Sequence, residues 1–297
     1  MMKRYLLKNI ARRLAGSTAI VLLVFGSLPA SAQISSTRHN LSSPAGPNST
    51  ATFTPTAPAV GELCVFCHTP HGADTTAVVP LWNRVIAATA YQTYNTLGTS
   101  SMDGATTAVG SVSAACLSCH DGVAAMNVMI NQPGSGGYNP TGAAWSGVWS
   151  GGGQTGGLLG TATSITRIGT DLRNDHPIGN QYAGGPTAAT LPGVGTPYGP
   201  SLFRDPDFKT ANSATLNGQP VWWVDSGVQG NGRQKTDMQL YTRASAYIGG
   251  TTSPLPSTTP QPYVECASCH DPHTAVNPTF LRVSNAGSGL CLTCHTK

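Results

Sequence analysis

The sequence predicts a mostly irregular, loop-rich fold with few short helices and strands, and three observations predict it. First, 35 glycines and 22 prolines among 297 residues punctuate the chain with turns. Second, aromatic residues are only 7% and charged residues 9% of the chain, so little apolar side-chain area is available per ordered residue. Third, the pattern C-x-x-C-H occurs four times: Cys64-Val65-Phe66-Cys67-His68, Cys116-Leu117-Ser118-Cys119-His120, Cys266-Ala267-Ser268-Cys269-His270 and Cys291-Leu292-Thr293-Cys294-His295. Together these copies consume all eight cysteines.

A C-x-x-C pair can hold zinc, act as a redox disulfide or belong to a disulfide framework, but none of these needs a histidine directly after the second cysteine. Covalent haem does. Two thiols one short turn apart reach the two vinyl groups of one porphyrin, and the adjoining imidazole lies beneath the iron. The sequence therefore predicts four covalently bound haem c groups. Cys64, Cys67, Cys116, Cys119, Cys266, Cys269, Cys291 and Cys294 attach them, and His68, His120, His270 and His295 are the proximal iron ligands. The fold class becomes a small multihaem cytochrome c scaffold wrapped around four stacked haems, with an apoprotein expected to be unfolded.

Residues 1–32 read as a signal peptide to be set aside from the fold. Lys3, Arg4, Lys8, Arg12 and Arg13 form a basic start, Ala19 to Leu28 is an apolar run, and Ala30-Ser31-Ala32 is a small-residue cleavage site. The rival reading of this segment, an uncleaved anchor helix, suffers from the shortness of the apolar run. The net charge of +4 therefore misleads: from Gln33 onward 11 Lys plus Arg face 12 Asp plus Glu. Such a balance gives no basic patch for nucleic acid. No later apolar run has membrane-spanning length, so the mature chain is expected to be exported without a transmembrane segment.

Residues 33–297 read as a single tetrahaem domain. An N-terminal arm at 33–63 is rich in Ser, Thr, Pro and Ala and carries His39. Haem sites 1 and 2 occupy 64–120, where Pro80-Leu81-Trp82-Asn83-Arg84-Val85 is a candidate short element covering a haem. The segment 121–265 has no attachment site and one histidine, His176; it reads as an insert carrying a haem ligand. Within it Val221-Trp222-Trp223-Val224 looks like a strand, Gln239 to Ile248 can pair with it or form a helical turn, and Trp145, Trp149, Trp222 and Trp223 are expected to pack. Sites 3 and 4 fill 266–297 and should place their haems side by side.

Four proximal histidines leave four others: His39, His71, His176 and His273. That equality favours bis-histidine iron, closed to substrate and suited to passing electrons. Mature methionines 102, 126, 129 and 238 are rival ligands but more often fill cores. His71 and His273 each follow a proximal histidine by three residues in a C-H-x-P-H pattern, too close to reach the far face of the same porphyrin. The expected pairing is His71 with the second haem and His273 with the fourth. Either His39 or His176 can complete haem 1 or haem 3, and an arm carrying a ligand can also reach another copy of the chain.

These residues resemble the exported multihaem cytochromes with paired C-x-x-C-H motifs, and most closely the tetrahaem OmcE-like extracellular cytochrome filaments. The matching pieces are Arg38-His39-Asn40-Leu41-Ser42, Cys64 to Gly72, Asp171 to Ile178, Cys266 to His273, and Phe280-Leu281-Arg282-Val283 leading to Cys291. The resemblance implies bis-histidine haems in a continuous chain, His176 as a ligand within the subunit, and His39 donated to a neighbouring subunit in a head-to-tail homopolymer. It further implies redox partner proteins and extracellular electron acceptors. A monomeric periplasmic or cell-surface electron carrier is the alternative. A multihaem reductase would need an open iron position, which the ligand count argues against, so no enzyme is expected.

Overall fold

The computed structural model describes residues 34–42, 54–55, 61–76, 78–98, 102–145, 149–150, 154–155, 157–187, 193–243 and 261–297. Residues 1–32, read from the sequence as a signal peptide, much of the arm between 43 and 60, and residues 244–248 lie outside them. Residues 33–297 form one compact unit. Among the described residues no helix is long and apolar enough to cross a membrane.

Among the described residues α-helix is scarce, and what there is carries the cysteines. Helix α1 spans Ser111–His120, α2 Cys266–Cys269 and α3 Cys291–Cys294. In a helical turn residues i and i+3 share a face, so C-x-x-C presents both sulfurs on one side. The first site does this without a helix: Cys64 makes one isolated turn, its carbonyl accepting from the backbone N–H groups of Cys67 (3.1 Å) and His68 (2.7 Å).

The segment between sites 2 and 3 is more ordered than its composition suggests. Its main sheet is antiparallel, in the order β7 (Asn180–Gln181), β11 (Gln261–Val264), β10 (Met238–Arg243), β9 (Gln219–Val224) and β8 (Asn212–Leu216). The β-branched and aromatic run Val221-Trp222-Trp223-Val224 is strand, and Met238, Gln239 and Leu240 pair with it, so the segment from Gln239 begins as strand rather than helical turn. The register sets Leu240 opposite Trp222. A hairpin of β2 (Val128–Asn131) and β3 (Tyr138–Ala144) lies outside this sheet, as do the two-residue pairings of β1 (Thr54–Pro55) with β4 (Trp149–Ser150) and β5 (Gln154–Thr155) with β6 (Leu158–Leu159).

Among the described residues three apolar clusters follow, a small one of Trp82 and Ala115 beside Cys67, Val79 and Ile86, and two larger ones. In one, Leu41, Phe66, Met126, Met129, Trp145 and Leu159 pack with Cys67 and Cys119. In the other, Tyr182, Tyr198, Phe203, Trp222, Val224, Met238 and Leu240 pack with Cys269 and Cys294. Sites 1 and 2 thus rest on the first core, and sites 3 and 4 on the second. Trp145 packs edge-on against Phe66 (5.6 Å between ring centres) and Trp222 against Tyr198 (6.1 Å), so both serve as packing residues.

The two halves meet at α1 and α2. Glu265, fully buried, caps α2: its carboxylate accepts from the Ser268 backbone, and its own N–H donates to Ser268 Oγ at 2.9 Å. The same carboxylate accepts from Ser113 Oγ of α1 and pairs with Arg243 of β10 at 2.9 Å. Burial raises the Glu265 pKa, against the pull of Ser113 and Arg243.

Candidate haem centres

Each proximal histidine sits against a returning segment of chain, and three of the four returns are built alike. At site 1, Thr69 N–H donates to Leu81 O and Asn83 N–H to Cys67 O, both 2.8 Å, with His68 bridged to Trp82. At site 3, Asp271 N–H donates to Phe280 O and Arg282 N–H to Cys269 O, again 2.8 Å, with His270 bridged to Leu281. At site 4, Thr296 N–H donates to Asp207 O and Lys209 N–H to Cys294 O at 2.8 Å, with His295 bridged to Phe208. The clip therefore recurs whether its return comes from downstream, as at sites 1 and 3, or from upstream, as at site 4. Leu81 and Phe280 occupy equivalent positions and both take left-handed φ, 57° and 62°.

The returning segment sets the imidazole. His68 Nδ1 lies 2.7 Å from Pro80 O, His270 Nδ1 2.7 Å from Thr279 O, and His120 Nδ1 2.7 Å from Thr166 O. A carbonyl can only accept, so Nδ1 carries the proton and Nε2 keeps its lone pair for a metal. His176 Nδ1 and His39 Nδ1 have the same kind of partner, Pro177 O at 3.1 Å and Pro272 O at 3.3 Å. His273 Nδ1 lies 3.3 Å from the Asp271 carboxylate.

Histidines that the sequence keeps far apart are brought together in two opposed pairs. The His39 and His120 ring centres stand 6.2 Å apart with planes at 71°; those of His68 and His273 stand 6.3 Å apart with planes at 18°. Two metal–imidazole bonds of about 2 Å each, plus roughly 1.1 Å from ring centre to nitrogen on each side, put opposed rings on one metal about 6.3 Å apart. Both pairs match that span. His39 is also fixed by stacking on Phe280, 4.3 Å between centres. Burial, then the His120 charge, lowers its pKa to about 4, so it is neutral and able to ligate at pH 7. His176 lies near enough to His295 to act on it: burial lowers the His295 pKa first, and the His176 charge lowers it further.

This arrangement differs from the expected pairing. His273 faces His68 of site 1 rather than site 4, and His39 faces His120 of its own chain, although the resemblance implies donation to a neighbour. The return of the third clip explains the first difference, because it carries residues 271–273 away from site 3. Among the described residues no ring stands opposite His71 or His270. His71 is exposed.

The attachment cysteines run in order through the molecule. Cys67 and Cys119 share the first core, Cys116 and Cys266 are in side-chain hydrogen-bond contact, and Cys269 and Cys294 share the second core. All eight are free of disulfides. Covalent haem fits these surroundings on a further count. Trp82 Nε1 is a buried donor without a partner among the described residues, its ring 5.9 Å from that of His68, and a porphyrin carboxylate is an acceptor of the chemistry it lacks.

The family described as "Doubled CXXCH motif" matches residues 261–297, which hold sites 3 and 4. No curated protein matches the chain. The motif match and the geometry around it make this a haem-binding protein of the multihaem c-type cytochrome class, with haem c held covalently through C-x-x-C-H.

Sequence reasoning missed the carbonyls of Pro80, Thr166, Thr279 and Pro272. It also missed Arg84, which is 2% exposed and donates to Phe66 O (3.2 Å), Val128 O (3.3 Å) and Met126 O. Burial pushes the Cys67 thiol up to about 11, and the Arg84 charge opposes the rise. One signal was available for Arg84. Both C-H-x-P-H motifs are followed by a proline, an aromatic residue and then an arginine: Pro80, Trp82 and Arg84 after the first, Pro278, Phe280 and Arg282 after the third.

Proposed function

We propose that this chain is an exported tetrahaem c-type cytochrome that relays electrons through four bis-histidine haems and assembles head to tail into an extracellular conducting filament. The observation that carries the relay is the two pairs of opposed histidines, 6.2 and 6.3 Å apart, because a metal between two imidazoles has no open position for substrate. Each attached haem supplies one-electron exchange between ferric and ferrous iron. The protein's part is to orient both imidazoles and keep neighbouring sites in sequence. The cysteine contacts favour the order site 1, site 2, site 3, site 4. No enzymatic step is assigned.

Assembly follows from the ligands left over. His273 of the third clip stands opposite His68, His39 opposite His120, and His176 beside His295; His71 and His270 remain. Because the first and third clips are built alike, His71 projects from site 1 as His273 does from site 3. In the third clip that projection reaches a site earlier in the chain, whereas the first clip is the earliest C-x-x-C-H in this sequence. Site 3 of a neighbouring copy, whose His270 lacks a second ligand, completes the pattern as a heterologous contact that propagates. The inter-subunit ligand in this reading is His71, not His39. A monomeric carrier is the second reading, favoured by the in-chain place of His39.

The test is cryo-electron microscopy of material secreted by a host that matures c-type haem. Filaments with His71 on the next copy's site 3 iron are expected, and His71→Ala should abolish them while four haems stay attached. Filaments of normal length from that variant overturn the assembly. Discrete wild-type particles leave the relay and favour the monomeric carrier.

A further inference from the structure

The turn that closes the third clip also grips a histidine from the other end of the chain. His39 rises from a compact turn of the arm, in which Thr37 Oγ1 donates to Ile34 O at 3.0 Å and Asn40 Nδ2 to Ser35 O at 2.8 Å, so its backbone is fixed within the arm. Its ring is fixed by the third clip. Phe280 stacks on one face with ring centres 4.3 Å apart and planes 10° from parallel, and Nδ1 lies 3.3 Å from Pro272 O. The two anchors form one unit, because Asp271 N–H, next to Pro272, donates to Phe280 O at 2.8 Å. Phe280 and Thr279 both take left-handed φ, 62° and 55°, a conformation that residues with a side chain rarely adopt and that here accompanies the stack on His39. In the first clip Leu81 holds the equivalent position and is 52% exposed, so the stack belongs to the phenyl ring and not to the clip as such.

We infer that Phe280 is a positioning residue for site 2, which together with Pro272 O locks the plane of His39 across that of His120. The inference rests on a haem at site 2 held by His39 and His120, but not on filament formation. An imidazole bound to iron through Nε2 is free to turn about that bond, and its other contacts decide where it stops. Turning His39 would drive its edge into the Phe280 face and break the contact with Pro272 O. His120 is held separately, by Thr166 O at 2.7 Å from its Nδ1. The crossing of the two planes at 71° is therefore imposed from two different parts of the chain. Near-parallel imidazoles split the two iron dπ orbitals that they face, whereas crossed ones leave them close in energy. A haem of the second kind has no preferred direction in its own plane for passing an electron. That suits site 2, whose Cys119 shares a core with Cys67 of site 1 and whose Cys116 contacts Cys266 of site 3.

The test is low-temperature electron paramagnetic resonance of the oxidised holoprotein, with haem content measured by mass spectrometry. Crossed ligands give a strongly anisotropic low-spin signal, and near-parallel ones a rhombic signal. His39→Ala marks the site 2 component as the low-spin signal that disappears. In wild type that component should be the strongly anisotropic one, and a rhombic one overturns the inference. Phe280→Leu, which puts in the third clip the side chain that the first already carries, should turn that component rhombic with every haem attached and low-spin. Phe280→Tyr, which keeps the ring, should retain the wild-type signal. An unchanged signal in Phe280→Leu overturns the inference, as does a Phe280→Tyr protein that behaves like the leucine variant. Should the leucine variant lose a haem, the wild-type component and the tyrosine variant decide. A His39→Ala protein that loses no low-spin component, or a wild type with no haem mass on Cys116 and Cys119, is a failure of the haem reading at site 2 and takes the inference with it.

Discussion

The first half of the molecule, which holds sites 1 and 2, and the second half, which holds sites 3 and 4, solve the same problem with different material. In the second half a five-stranded sheet supplies a core of Tyr182, Tyr198, Phe203 and Trp222, and β11 runs through Glu265 directly into the cysteine turn of α2. Among the described residues of the first half no such sheet stands behind the cysteines. The work falls to the β2–β3 hairpin, to Phe66, Met126, Met129 and Trp145, and to Arg84, which ties three carbonyls of that region together. The clip around the proximal histidine is nevertheless the same in both, down to the 2.7 Å contact from Nδ1 to a main-chain carbonyl. The clip is thus a local device that many surroundings can support. The surroundings decide charge and rigidity, not ligation.

The sharpest way to break the comparison is to separate the halves. Glu265→Ala strands Arg243, removes the Ser113 acceptor and uncaps α2, so a loss of about 3–5 kcal/mol is expected for a buried pair broken on one side. Chemical unfolding of the holoprotein should record it as a single transition moved to lower denaturant. Two separated transitions would mean that the halves fold independently.

A smaller effect is expected from His273→Ala, which should turn one haem high-spin in resonance Raman spectra while its covalent attachment persists. In a protein already lacking site 1 through Cys64→Ala and Cys67→Ala, the same change should add nothing. A further high-spin signal there would return His273 to another haem.

The smallest effect is expected from acid. His39 is held neutral by burial, with a pKa near 4, while an unfolded histidine titrates near 6.5. Between these values the unfolded chain binds more protons than the folded one, so stability falls as pH drops from about 6.5 to about 4 and levels off below. Stability that is flat across that window in wild type and His39→Gln alike would contradict the burial of this ring.

Attachment chemistry was legible in the sequence because C-x-x-C-H is local, and the strand at 221–224 was legible because its residues are β-branched and aromatic. The partners of the distal histidines were not. His39 meets His120, and His273 meets His68, only after the third clip has turned back on itself, and spacing near a motif says nothing about that return. The acceptors that orient the imidazoles were hidden for another reason. They are main-chain oxygens, which every residue type supplies, so Pro80, Thr166 and Thr279 carry no side-chain mark of the role. Arg84 was hidden because three carbonyls satisfy it in place of a carboxylate that charge pairing would have suggested.

The contact between Cys116 and Cys266 bears on how the protein is made. Two free thiols held side by side are a substrate for oxidation, and a bond between them would take one anchor from each of two sites. Thioether formation at these positions before α1 closes against α2 would avoid that loss. This one junction thus favours an order of assembly, porphyrin first and docking second, with a reducing supply for as long as either thiol stands bare.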